Sequence, residues 1–231
     1  MSKRRAHRTN HSHGQLRSRP LLGGPPLLSL DPSCRTILSQ IDERNFAWSD
    51  LAENVLPIFE RARPFSHEAV PPIHAVVPPG VTVGFGVDVG PAFLRIAVGH
   101  LATWPVDLAG LTAQAVENLE RRTRRARPGD VVRETLGGVP ARVFQSQAGW
   151  ASTTVLVPGA MDRLFGQRPA LFVAPTRDLL IGLPPDVDLE FATWLTEWLE
   201  ATNADGLHLE AFEWRDGTVS CRPLRRDAIA V

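Results

Sequence analysis

"ALFVAPTRDLLIG", residues 170–182, decides how the chain is read. Two short apolar runs flank Pro175, Thr176, Arg177 and Asp178. Each run has the length of a strand, and neither has the length of a helix. Pro and Asp are turn formers, so the polar link predicts a strand at 170–174, a reversal, and a strand at 179–182. Strands joined by so short a link run antiparallel. The expected fold class is therefore α+β: a mainly antiparallel sheet built from hairpins, with about five helices segregated from it.

Arg177 and Asp178 carry two readings. In the structural one, Asp178 bonds a backbone N–H two residues on and Arg177 pairs with an acid of the following helix. In the functional one, Arg177 clamps a carboxylate or phosphate with its guanidinium fork while Asp178 orients it. The structural role is the expectation, and both residues are retained as ligand- or anion-binding candidates.

The neighbouring segments fit this frame. "DVDLEFATWLTEWLEATN" (186–203) predicts a helix capped by Asp186 or Asp188. It places Phe191, Trp194, Leu195, Trp198 and Leu199 on one face, with the tryptophans read as core. "LHLEAFEWRDGTVSCRPL" (207–224) predicts a hairpin about Arg215-Asp216-Gly217. "VVRETLGGVPARVFQS" (131–146) predicts another about Gly137-Gly138. Between them, "ASTTVLVPGAMDRLFG" (151–166) predicts a short segment to Pro158 and a short helix to Phe165.

Toward the N-terminus, "TWPVDLAGLTAQAVENLERRTRRARPGD" (103–130) predicts the strongest helix, with its N-cap at Thr103 or Trp104 and arginines in its last turn. Leu108, Leu111, Ala115 and Leu119 form its apolar stripe, and Glu117–Arg121 and Glu120–Arg124 have the favoured i,i+4 order. Arg121, Arg122, Arg124, Arg125 and Arg127 form either a solvated helix end or an anion or nucleic-acid patch. "IHAVVPPGVTVGFGVDVGPAFLRIAVGH" (73–100) predicts strands at 73–77, 81–88 and 92–98. Its "GFGVDVG" lacks dinucleotide-loop spacing and no helix opens after it. Gly84 and Gly86 are expected at a bulge or a close backbone approach. His74 and His100 are expected to be structural. From Asp31 to Pro64 two helices are expected, the second running from about Ser49 with a kink or a break at Pro57.

Residues 1–30 hold Lys3, Arg4, Arg5, Arg8, Arg17 and Arg19 and no acid, whereas the rest of the chain has 19 basic and 25 acidic residues. The expected organisation is a disordered basic arm over 1–30 and a single domain over 31–231. The arm suits an acidic partner or nucleic acid through charge alone, but it has no aromatic residue to stack a base. His11 and His13 lack further ligands for a metal. Cys34 and Cys221 predict free thiols in a reducing compartment. No apolar run is long enough to span a membrane. The "PLLGGPPLLSL" stretch (20–30) is too broken for a signal peptide, so the cytoplasm is the expected location.

No nucleophile motif such as G-x-S-x-G is present. Cys221 is expected in a C-terminal strand, buried and inert. No cofactor or metal site is expected. The best functional reading is a non-enzymatic binding or adaptor domain for an unidentified protein. The alternative is a metal-dependent hydrolase or nuclease using Asp178 with Glu210 or Glu213.

Four pieces, "ENVLPIF" (53–59), "LTAQAVENLE" (111–120), "ALFVAPTRDLLIG" (170–182) and "EAFEWRDGTV" (210–219), occur in this order. Together they resemble the YtpQ-like proteins, an uncharacterised bacterial family, over roughly residues 45–225. The third piece is similar to that family's "vavPsRDlLlf", with Thr176 in place of Ser. The Pro-rich segment 71–79 and the basic arm depart from the pattern. The resemblance implies a family and no mechanism.

Overall fold

The structure is a computed structural model that describes residues 47–60, 75–77, 81–88, 93–146, 149–203 and 206–225. All of them belong to one unit, Asp42–Val231. The basic arm, the expected helix near Asp31, Cys34, His11, His13 and His74 lie outside these residues.

The stretch at 170–182 is the centre of a six-stranded antiparallel sheet. Strand β7 (Ala170–Thr176) and β8 (Leu179–Leu183) form the hairpin, with Arg177 and Asp178 alone in the turn. Around it lie β5 (Val131–Leu136), β6 (Val139–Gln145), β9 (Ala211–Arg215) and β10 (Thr218–Arg222). The order is β10-β9-β7-β8-β6-β5. Pro175 lies within β7, where pairing slips between Val173↔Ile181 and Thr176↔Leu179. A bulge is where a sheet tolerates a proline. The other turns match their sequences. Gly137 and Gly138 both have positive φ (56° and 87°), as do Asp216 and Gly217 (51° and 74°). That is the backbone a two-residue hairpin needs.

Period-two alternation splits β7 between two cores. Leu171 and Val173 face one core with Leu195 and Leu199 of helix α5 (Leu189–Ala201). Phe172 and Ala174 face the other with Phe212, Trp214 and helix α4 (Pro158–Phe165). Both faces are covered, which is why every residue of β7 and β8 is buried.

A second, four-stranded sheet packs into that second core. It comprises β1 (Val55–Phe59), β2 (Ala75–Val77), β3 (Val81–Asp88) and β4 (Phe93–Arg95), with β3 pairing all the others. Phe59 and Val83 join the large-sheet core, and Phe59 stacks on Phe212 with ring centroids 5.5 Å apart. Helix α3 (Leu108–Thr123) closes the opposite side through Leu111 and Ala115, with Val55 and Phe85. The fold is α+β, and its described α-helices are α1 (Trp48–Leu51), α2 (Val98–Leu101), α3, α4 and α5.

Three expectations need correction. The strand expected at 92–98 ends at Arg95, and Val98–Leu101 form helix α2. The helix through Pro57 is replaced by a one-turn α1, a 3-10 turn at Ala52–Asn54 and strand β1. "VLPIF" is buried throughout, and a short apolar run carries no periodicity to separate helix from strand. Among the described residues strand β1 pairs only β3, and an edge strand accommodates proline. Helix α3 starts later than expected, capped by Asp107, whose Oδ1 accepts from Gly110 N at 2.8 Å.

Asn118 staples α3 to the start of β1. Its Nδ2 donates to Ala52 O at 2.7 Å and to Val55 O at 2.8 Å. Its Oδ1 accepts from Gln114 Nε2 and from Arg121. Arg121 also donates to Glu53 O at 3.1 Å, and this contact, rather than Glu117, occupies it. Arg124 does pair with Glu120, at 3.2 Å.

Candidate functional site

The Arg177–Asp178 turn sits where the two sheets meet. Arg177 Nε donates to Phe59 O at 3.3 Å, and its guanidinium lies 3.9 Å from Glu60 Oε2. Arg95, at the end of β4, reaches the same oxygen at 2.5 Å. One buried carboxylate thus gathers two arginines from different sheets. Both arginines keep about a quarter to a third of their side chains in solvent, at 26% and 31%.

Backbone bonds fix the turn itself. Ser152 N donates to Arg177 O at 3.1 Å and Ser146 N to Asp178 O at 3.0 Å. Asp178 takes Thr176 Oγ1 on one carboxylate oxygen at 2.6 Å and Gln145 Nε2 on the other at 3.3 Å. This corrects the details of the structural expectation. The acid met by Arg177 directly follows β1 and is not on the following helix. The partners of Asp178 are side chains, not a backbone N–H two residues on.

Gly84 makes room for Glu60. A Cβ at position 84 would stand 2.1 Å from Glu60 Oε1 and 2.9 Å from its Cδ. The glycine of "GFG" therefore serves a close approach, by a side chain rather than by backbone. Glu60 Oε1 is buried against it without a hydrogen-bond partner. Sequence reasoning passed over Glu60 and Arg95. The signal was a charge directly after "VLPIF" and another inside "AFLRIAV".

Each acid of the hydrolase alternative has a partner of its own. Asp178 is engaged as described, Glu210 accepts from Leu224 N at 2.5 Å, and Glu213 pairs with Arg215 at 3.0 Å. Among the described residues no three His, Cys, Asp or Glu side chains are grouped to hold a metal ion. His100 accepts from Ala97 N on Nδ1 at 3.0 Å and stacks on Trp104, a structural role.

Cys221 is a free thiol, partly buried on β10 rather than fully so. Burial pushes its pKa up, and the negative charge of Glu210 adds to the rise. The thiolate fraction is thereby reduced, so maleimide labelling at about pH 8 is expected to be several-fold slower than for a cysteine in a short peptide. Equal rates would show that burial does not control this thiol.

Of the basic-patch candidates, Arg121 and Arg124 are engaged locally, as above. Arg124 and Arg125 lie exposed just past the end of α3, and Arg122 is half-buried in its last turn.

The largest departure concerns α5. Leu195 and Leu199 are buried as expected, but Trp194 and Trp198 are 55% and 51% exposed. The two indoles stack with centroids 6.3 Å apart and planes 14° apart, and Phe191 extends the row at 5.9 Å from Trp194. A helix on a sheet buries a narrow stripe, here Ala192, Leu195, Thr196 and Leu199, and leaves this flank outside. Phe191 leans over the β5–β6 turn, where a Cβ on Gly137 would come within 2.7 Å of its ring.

No helix among the described residues is long and apolar enough to cross a membrane. No family model matches the chain, and neither the curated proteins nor the solved structures give a match.

Proposed function

We propose that the chain is a non-enzymatic binding domain, an adaptor whose protein partner docks on the aromatic flank of α5. One observation carries this reading: two stacked tryptophans stand half in solvent on a helix that is otherwise well packed. An exposed aromatic row of this kind marks interaction surfaces, and tryptophan is among the residues that dominate their energetics.

The charge around the row selects the partner. From Pro184 to Asn203 the sequence has five acids and no base. Glu200 is turned inward to His208, and Glu190 pairs with Arg225 at 3.3 Å. Asp186, Asp188 and Glu197 of the same segment are not fully buried, with Asp188 also capping the helix. The matching partner is a segment that combines apolar and basic side chains. Its cations meet the acids and, at short range, the indole faces. Half an indole is only about 120 Å², whereas a stable interface buries about 800 Å² per partner, so the pair forms the centre of a larger contact. In this reading the domain works in the cytoplasm and is related to the YtpQ-like proteins.

The test is fluorescence anisotropy with two labelled peptides of equal apolar content, one rich in lysine and one rich in glutamate. The lysine-rich peptide is expected to bind in a salt-dependent way, and the Trp194→Ser/Trp198→Ser protein to lose at least about tenfold in affinity at unchanged stability. Equal binding of both peptides, or an undiminished affinity in the variant, rejects the proposal. So does a dimer that the double substitution dissociates, which would make the row a self-association surface.

A further inference from the structure

We infer that Arg133, Arg142 and Arg168 form a binding site for a phosphate oxyanion on the sheet face opposite to α5. Arg133 on β5 and Arg142 on β6 are direct partners across the strand pair. Directly opposed residues share a face, and like charges placed so are destabilising unless something neutralises them. They alternate with Glu134 and Ala141, and Ala141 belongs to the core beneath α5.

Arg142 is held in place. It donates to Phe165 O, the last carbonyl of α4, and its guanidinium lies 5.8 Å from the centroid of the Phe165 ring. The negative end of the helix and the ring face both favour a cation there. Arg168 follows α4 by three residues, close enough for its charge to act on Arg142. Partial burial, and after it the charges of Arg133 and Arg168, lower the pKa of Arg142. Among the described residues none of these three guanidiniums meets a carboxylate. In this they differ from Arg124 at the end of α3, which has the carboxylate of Glu120.

Guanidinium forks match a tetrahedral oxyanion with paired N–H donors, and a fixed Arg142 lowers the entropy lost on binding. The shared chemistry is a phosphate group, whether free or in a phosphodiester backbone. The site lies across the sheet from the aromatic flank, so an anion and a protein partner would not compete for surface.

Calorimetric titration of the whole chain with inorganic phosphate at low salt tests this. Arg133→Gln/Arg168→Gln is the informative variant, because both side chains are exposed and neither carries a structural contact. Affinity is expected to fall at least about tenfold, with no fall in melting temperature and a small rise as the Arg133–Arg142 repulsion is relieved. Arg124→Gln/Arg125→Gln is expected to bind phosphate as the parent does. A parallel titration uses a short single-stranded oligonucleotide. Binding far tighter than phosphate, and weakened by the same variant, identifies a phosphodiester backbone as the source. Binding no tighter per phosphate identifies a small phosphate. Absence of phosphate and oligonucleotide binding overturns the proposal. So does full affinity in the Arg133/Arg168 variant, or an equal loss in the Arg124/Arg125 variant, which would reduce the effect to diffuse charge.

Discussion

Replacing Asn118 with leucine is expected to cost about 3 kcal/mol of folding stability. The side chain is 1% exposed, and its amide satisfies the carbonyls of Ala52 and Val55. Leucine has the same number and branching of side-chain heavy atoms and larger methyl groups, so no cavity forms. The loss comes from two carbonyls left without this donor, each worth about 1–3 kcal/mol where water cannot reach. Arg121→Gln is expected to cost under about 1 kcal/mol, since Gln114 still meets the Asn118 oxygen. Urea unfolding measures both. A loss below about 1 kcal/mol in Asn118→Leu would show that water or relaxation satisfies the carbonyls, and the staple would not hold α3 to β1.

Gly84→Ala is expected to cost about 2–3 kcal/mol, although alanine suits a strand better than glycine. The added carbon cannot coexist with the Glu60 carboxylate in its present place. The carboxylate must leave, and with it the 2.5 Å contact to Arg95 and the longer one to Arg177. Partial exposure of both arginines keeps the cost below that of breaking a fully buried pair. A double-mutant cycle isolates the cause. In a Glu60→Ala background the same Gly84→Ala change is expected to cost less than about 0.5 kcal/mol. Additive losses would place the strain in the backbone of β3 and not in Glu60.

How far the sequence carried depends on where each signal lives. Turn chemistry is local, so Gly137-Gly138, Asp216-Gly217 and the 170–182 hairpin could be placed from a few residues each, and the antiparallel α+β class followed. "VLPIF" could not be placed, because an unbroken apolar run is buried whichever element it forms. Periodicity on α5 identified the helix but not the width of its buried stripe. Leu195 and Leu199 went inward while Trp194 and Trp198 stayed out, a difference set by how α5 lies on β7. The Arg177–Glu60 pair spans 117 positions, and no local pattern encodes such a partner. Arg133 and Arg142 were legible in principle, since a two-residue turn at Gly137-Gly138 fixes them as opposites.

The stacking of Phe59 on Phe212 has a consequence for how the chain is made. The inner core is lined by a strand from the first third of the sequence and one from its last tenth. A ribosome releases β1 long before β9, so the nascent chain holds Phe59, Phe144 and Phe172 without the aromatic surface that covers them. Local hairpins can form as they emerge, but the core closes only when Phe212 and Trp214 are available. During synthesis the exposed apolar surface is a natural substrate for a chaperone, and a chain that stops before residue 211 is expected to aggregate rather than to persist as a smaller domain.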